Sequence, residues 1–123
     1  MTTVLIVEDD PQMARMLGAL LEFEGYRAVL CPATERVLDC IRETRPDVVV
    51  MDFHLGRVRA PGLLQALRAD PDLRSARVII VSGDDQEVAA RAAGADRFLL
   101  KPFAMEELLE AIRELIHSES GRP

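Results

Sequence analysis

Five short apolar runs, each followed by a helical pattern, organise this chain. Three of them have no polar interruption, and two weaker ones each begin with an arginine. The strong runs are Val4–Val7, Val48–Met51 and Val78–Val81, and the weaker ones are Arg27–Cys31 and Arg97–Leu100. Unbroken apolar runs of this length are typical of parallel strands that are covered on both faces. All five runs are therefore predicted to be strands.

Between the runs, apolar residues recur every three or four positions. Such a repeat predicts helices with one apolar stripe facing a core. The longest stripes lie at Met13–Leu21 and Met105–Ile116, and shorter ones lie at Val37–Ile41 and Leu63–Leu67.

A fifth, short helix is predicted after the fourth strand. Asp84 with Glu87 three residues later resembles a capping box, and this helix would run to about Ala93. Gly94 then suits its C-terminus. The order is βα repeated five times, which predicts an α/β fold with a parallel sheet between two helical layers.

Composition narrows the range of functions. The chain has 123 residues, of which 49% are hydrophobic, enough for one domain with its own core. Asp and Glu outnumber Lys and Arg by 21 to 15, for a formal charge of −6, so we expect no direct nucleic-acid binding. No apolar run approaches the ~20 residues of a membrane span, and no signal peptide is evident. We therefore expect no membrane association and a cytoplasmic location.

Two cysteines, Cys31 and Cys40, lack the CxxC spacing of redox and zinc motifs. We interpret them as small buried hydrophobic residues in a reducing compartment.

Polar residues whose side chains could bind a ligand or take part in a reaction follow four of the five strands. They are Glu8, Asp9, Asp10, Asp52, Ser82 and Lys101. Taken singly, each has an ordinary explanation: a helix cap, a solvated strand end, a turn or a surface lysine. The carboxyl ends of parallel strands meet at one side of an open sheet, where ligands gather. Crowded acids at such a place either lie in water, as a helix cap does, or have a positive charge among them.

Four stretches carry a family resemblance. They read VLIVEDDP, PDVVVMDFHL, RVIIVSGDD and GADRFLLKPF, and LRADPDL also fits the spacing. They resemble the receiver domain of bacterial two-component response regulators, and the chain is chemotaxis-regulator-like. The resemblance covers residues 3–117 and leaves 118–123 as a polar tail or the start of a linker. It implies a flavodoxin-like (βα)5 three-layer sandwich with a five-stranded parallel sheet in the order 2-1-3-4-5.

The resemblance also implies a metal-assisted phosphorylation site. Asp52 would be the phosphoacceptor. Asp9 and Asp52, Glu8 partly through water, and the backbone carbonyl of His54 would hold Mg²⁺, a cation that prefers hard oxygen ligands. Asp10 would instead face the start of the first helix.

Three further positions would bind the phosphoryl group or relay its presence. Lys101 and Ser82 would contact phosphoryl oxygens, and Phe98 would fill the space that Ser82 leaves when it moves. The peptide bond between Lys101 and Pro102 would be cis.

The loop after the third strand departs from the family pattern. Gly56 stands where proline is usual, and Ala60 where glycine is usual, so a different backbone path is expected there. His54 is unusual at the rim of the site, where it would alter water attack on a phosphoaspartate or simply face solvent.

The leading hypothesis is a phosphoacceptor switch in a histidine–aspartate phosphorelay. Such a domain catalyses only its own phosphotransfer and dephosphorylation, so we do not expect a classical enzyme. Its partners would be a sensor histidine kinase or histidine phosphotransfer protein, a downstream target or fused output domain, and a second copy through the helix 4–strand 5–helix 5 face.

Two alternatives stay open. One is a phosphorylation-independent receiver-like interaction module, which the altered loop at Gly56 keeps in consideration. The other is a small phosphatase with an aspartyl nucleophile. That chemistry needs a second acid two residues after the nucleophile, a position that His54 occupies here.

Overall fold

The computed structural model describes residues 1–32 and 34–117 and places five parallel strands in one sheet. The strands are β1 (Thr3–Val7), β2 (Arg27–Leu30), β3 (Val48–Asp52), β4 (Arg77–Ser82) and β5 (Arg97–Leu100). Their spatial order is β2-β1-β3-β4-β5, with every pairing parallel. The predicted sheet order is confirmed. The predicted tail, 118–123, lies outside the described residues.

In the described residues, five α-helices alternate with the strands along the chain and form a layer on each face of the sheet. They are α1 (Pro11–Phe23), α2 (Val37–Thr44), α3 (Ala60–Ala69), α4 (Glu87–Ala93) and α5 (Met105–Ile116). Helices α1 and α5 pack on one face and α2, α3 and α4 on the other. This is the predicted three-layer sandwich. Within the described ranges, no helix has both the length and the apolar character that crossing a membrane requires.

The central strands are buried from both sides, which explains their unbroken apolar sequence. In β1, Leu5 and Val7 contact the core under α2, α3 and α4, whereas Val4 and Ile6 contact the core under α1 and α5. All four are at most 1% exposed. Because neither face of β1 meets water, no polar alternation is needed.

Helix α1 begins with a side-chain cap. The carboxylate of Asp10 accepts hydrogen bonds from the backbone N–H groups of Gln12 at 3.0 Å and Met13 at 3.4 Å. Pro11 occupies the first turn, where its missing N–H has no cost. The orientation expected for Asp10 is confirmed.

The predicted capping box at Asp84 is wrong. Helix α4 begins at Glu87, and its N-cap residue Gln86 makes no side-chain cap hydrogen bond. Asp84 lies too far upstream to cap this helix, and other side chains occupy its carboxylate. The end of α4 is as predicted, since Gly94 adopts the left-handed conformation at φ +119°.

The loop between β3 and α3 forms a small hairpin. His54–Leu55 pairs antiparallel with Val58–Arg59. Gly56 lies in its turn at φ +65°, which the proline common in the family cannot adopt, since its ring fixes φ near −65°. The glycine therefore permits a path that the usual residue would forbid.

Candidate functional site

A lysine and two acids from three strands meet at the carboxyl ends of the sheet. The Lys101 Nζ donates to Asp52 Oδ2 at 2.7 Å and to Glu8 Oε1 at 3.3 Å. The side chains of Glu8 and Asp52 are only 5% and 9% exposed, and that of Lys101 is 27% exposed. Asp52 and Glu8 are 49 and 93 positions away from Lys101 in the sequence. They contact it because β1, β3 and β5 end at the same side of the fold.

The charges in this cluster do not balance. Burial raises the pKa of the Glu8 carboxyl, and the nearby Asp52 carboxylate raises it further, against the lowering effects of the Asp10 N–H and Lys101. Burial alone would lower the pKa of Lys101, but Asp52 and Glu8 outweigh it and raise this pKa above its ordinary value. Two acids share one ammonium, so the site favours added positive charge.

Asp9 borders the same cluster from the exposed side. A Cβ atom added to Gly56 would lie 3.6 Å from Asp9 Oδ2, so the Asp9 carboxylate faces the β3–α3 loop. The backbone of that loop is hydrogen-bonded to Asp52, because the His54 N–H donates to Asp52 Oδ1 at 2.9 Å. The neighbouring Asp10 N–H donates to Glu8 Oε2 at 3.2 Å.

The other side of the site is organised around Asp84. Its Oδ1 accepts hydrogen bonds from the Ser82 hydroxyl at 2.6 Å and from the His54 Nε2–H at 2.8 Å. Its Oδ2 accepts from Gln86 at 2.9 Å. The Ser82, Gln86 and His54 hydrogen bonds together hold the pKa of Asp84 far below its usual range. Asp84 thus joins the loops that follow β3 and β4.

Sequence reasoning placed Ser82 and His54 at this site but missed the role of Asp84. A usable signal was present, because His54 and Asp84 each stand two residues after a strand end, at Asp52 and Ser82. The two strands are neighbours in register, with Asp52 opposite Val81. Residues that follow the ends of two paired strands, as His54 and Asp84 do, lie close enough for their side chains to contact each other.

Two further predicted positions lie on β5 and directly after it. Phe98 is half-buried, pairs with Ile80 and packs on the core beneath α2, α3 and α4. The Lys101–Pro102 peptide bond is cis.

The donor chemistry of the site suits Mg²⁺. Among residues 1–32 and 34–117, no three His, Cys, Asp or Glu side chains are arranged as a preformed metal centre. Mg²⁺ does not need one, because it keeps several waters and usually takes one or two carboxylates from the protein. The partly uncompensated carboxylates of Glu8 and Asp52, with Asp9 beside them, meet that requirement.

The fold is that of an α/β domain with an acidic cluster at the carboxyl ends of its strands. The family model for the response regulator receiver domain matches residues 4–113. The chain belongs to this family. Its members are signalling domains of two-component systems, and the resemblance inferred from the sequence is confirmed.

Named relatives agree with this assignment. Response regulator MprA of Mycobacterium sp. (strain KMS) is 35% identical over 120 residues, which cover 95% of this chain and 51% of that protein. DNA-binding response regulator MtrA of Mycolicibacterium smegmatis is 29% identical over 120 residues, covering 98% of this chain and 53% of that protein. The chain therefore spans about half the length of the curated relatives it matches.

A solved structure resembles this fold. It is the receiver domain of sensor histidine kinase PA1611 from Pseudomonas aeruginosa PAO1, with a magnesium ion coordinated in its active site cleft. The TM-score is 0.85 at 25% identity, over 95% of this chain and 98% of that one.

Proposed function

We propose that this chain is a phosphoacceptor switch in which Asp52 receives a phosphoryl group from a histidine kinase or histidine phosphotransfer protein. The observation that carries the proposal is the contact of Lys101 with both Asp52 and Glu8 in a receiver-family chain. The Asp52 carboxylate is buried, contacts the Lys101 ammonium and lies beside a second acid, Glu8. Such a cluster can accept a cation together with the oxygens of a phosphoryl group.

The acids would hold the metal and Asp52 would provide the nucleophile. Glu8, Asp9, Asp52 and the backbone carbonyl of His54 are the proposed Mg²⁺ ligands. Bound Mg²⁺ would neutralise the negative charge that the phosphoryl group brings to this cluster. The Asp52 carboxylate would attack phosphorus, and the bond from phosphorus to the donor nitrogen would break. Lys101 would then turn from the carboxylates to a phosphoryl oxygen.

Ser82 would signal that the phosphoryl group has arrived. Its hydroxyl, which donates to Asp84 at 2.6 Å, would exchange this acceptor for a phosphoryl oxygen. Such an exchange would draw the end of β4 towards Asp52 and release space beside β5, where Phe98 is proposed to respond. Asp84 therefore competes with the phosphoryl group for the switch hydroxyl.

The partners of the whole protein are also proposals. MtrA is named a DNA-binding response regulator, yet the region matched here is about half of it. We propose that the region represented by this chain contacts a kinase and a downstream target or fused output domain in the cytoplasm. In that scheme it does not itself touch nucleic acid, and self-association would use the α4–β5–α5 face.

The test is incubation of the chain with acetyl phosphate and Mg²⁺, followed by intact mass. We expect the wild type to gain one phosphoryl group and the Asp52→Asn variant to gain none. The matched control is Asp85→Asn, which removes a carboxylate near the site whose recorded contact is with the Glu87 N–H. This control should gain the group as the wild type does.

Other results would favour other functions. Equal labelling of the wild type and Asp52→Asn would contradict the assignment of Asp52. No labelling with any phosphodonor would favour the phosphorylation-independent interaction module. Multiple turnovers on simple phosphomonoesters would favour the phosphatase.

A further inference from the structure

The two cysteines, which the sequence leaves unconnected, lie side by side. Cys31 directly follows β2 and Cys40 lies in α2, yet their Sγ atoms are 2.9 Å apart. The structure gives both residues as reduced thiols. A disulfide has an S–S distance of about 2.05 Å, so the sulfurs need to approach by only about 0.9 Å.

The two thiols differ in access. Cys40 is 7% exposed and belongs to the core beneath α2, α3 and α4. Cys31 is half-buried and lines a cavity of about 430 Å³, whose wall also includes Glu8, Asp9 and Arg15. A small polar oxidant can therefore reach Cys31 from the side of the acidic cluster, whereas Cys40 is reached through Cys31.

We propose that Cys31 and Cys40 are a redox-modification site, which a hydroperoxide oxidises to an intramolecular disulfide. This inference rests on the thiol geometry and does not depend on phosphorylation of Asp52. It goes beyond our interpretation of the two cysteines as small buried hydrophobic residues, a description that fits Cys40, which is buried, better than Cys31, which is half-buried.

The reaction balances in two steps. The Cys31 sulfur, as thiolate, attacks the distal oxygen of the hydroperoxide, the O–O bond breaks, and a sulfenic acid and an alcohol or water form. The Cys40 sulfur then attacks the Cys31 sulfur, the S–O bond breaks, and water leaves with the second proton. Two electrons pass from the two sulfurs to the peroxide, and the end of β2 becomes bonded to α2.

The experiment treats the reduced full chain with hydrogen peroxide, unfolds it in urea with an alkylating reagent, and measures its mass. We expect loss of two hydrogen atoms and no alkylation. Trypsin cuts after Arg27, Arg36 and Arg42, so the disulfide should join peptides 28–36 and 37–42. Continued alkylation of both thiols, or bonds only between two chains, would overturn the proposal.

Two variants separate the roles of the thiols. In Cys40→Ala, a core substitution that leaves no buried polar group, Cys31 should accumulate sulfenic acid that dimedone traps. In Cys31→Ser, Cys40 should resist peroxide. Trapping at Cys40 instead, or none at Cys31, would contradict the assigned order.

A final measurement tests whether the fold creates the site. In glutathione redox buffers, the ratio of disulfide to dithiol should be at least tenfold higher for the folded chain than for the chain in urea. Equal ratios would show that the proximity of the sulfurs has no effect, and the proposal would fail.

Discussion

The sheet carries a partly buried ion-pair cluster at each end of its strands. At the carboxyl ends, Lys101 is shared between Glu8 and Asp52. At the amino ends, Arg68 pairs with Asp96 at 3.0 Å, and their side chains are 15% and 14% exposed. Both clusters join distant segments, but their charges are arranged differently.

Among the described residues, the cluster at the amino ends is matched, because one arginine pairs with one aspartate. Arg68 lies in α3 and extends across the starts of β4 and β5. Its guanidinium donates to the carbonyl oxygens of Arg74, Ala76 and Gly94 as well as to Asp96. Asp96 also accepts from the Val78 N–H at 2.8 Å. Among the described residues, Arg68 pairs with Asp96, and backbone groups take part in the hydrogen bonds around this pair.

The cluster at the carboxyl ends has more acid than base, and this difference indicates its use. A matched cluster holds helices and strands together and requires nothing further. A cluster with surplus buried carboxylate is a less stable arrangement that a bound cation can complete. Charge balance, more than burial or distance, separates the structural ion pair from the one that we propose to be functional.

Removing the cation of the matched cluster should have the largest effect on stability. Arg68→Met leaves Asp96 and three carbonyl groups without their guanidinium donor. We expect the free energy of unfolding to fall by about 3 kcal/mol, as for other partly buried pairs. Urea denaturation at pH 7 measures it.

The control for this variant is Arg113→Met. Arg113 pairs with Glu106 on the surface, where both side chains are more than half exposed, so its loss should change stability by less than about 0.5 kcal/mol. Equal effects of the two variants would remove the contrast between the clusters.

Magnesium should stabilise the folded chain by binding at the carboxyl-end cluster and not at the amino-end cluster. At free Mg²⁺ ten times its Kd, the free energy of unfolding should rise by about 1.4 kcal/mol. Arg68→Met should show the same increment, because the two clusters lie at opposite ends of the strands. Asp52→Asn should lose most of it. A larger increment in Asp52→Asn than in the wild type would contradict the proposed ligand set.

Releasing the Ser82 hydroxyl from Asp84 should accelerate phosphorylation of Asp52. In Asp84→Ala, Ser82 loses its acceptor and is available to a phosphoryl oxygen. A gain of about 1.4 kcal/mol in transition-state stabilisation corresponds to about a tenfold higher rate. Intact mass over time with acetyl phosphate measures this, with Asp85→Ala as the neighbouring control. A rate at or below that of the wild type would show that Asp84 does not compete for Ser82.

The smallest expected effect is a pH dependence of the free energy of unfolding, caused by the surplus negative charge of Glu8. The pKa of Glu8 is raised above 4.5 in the folded chain, so ionising this carboxyl costs more in the folded than in the unfolded state. The fold therefore loses stability as pH rises from 4.5 through the raised pKa.

The variant Glu8→Gln removes that loss. In EDTA it should be more stable than the wild type near pH 7 and equal to it below pH 4.5. Urea denaturation across this range measures the difference. An offset that is the same at every pH would indicate altered packing instead of relieved charge.

The sequence by itself determined the architecture and most of the acidic site. Unbroken apolar runs such as Val48–Met51, set between helical patterns, favour buried parallel strands, and parallel strands place their carboxyl ends together. Once β1, β3 and β5 were recognised, the proximity of Glu8, Asp52 and Lys101 followed from topology, because register, and not side-chain choice, sets these distances.

The tertiary structure alone decided which polar groups became partners. Asp84 has the local pattern of a helix cap, but Ser82, His54 and Gln86 occupy its carboxylate. Cys31 and Cys40 meet only because α2 packs against the end of β2. Apolar burial is set by periodicity and can be read along the chain. A hydrogen bond or thiol contact depends on side-chain directions in loops, which become fixed only when the segments pack together.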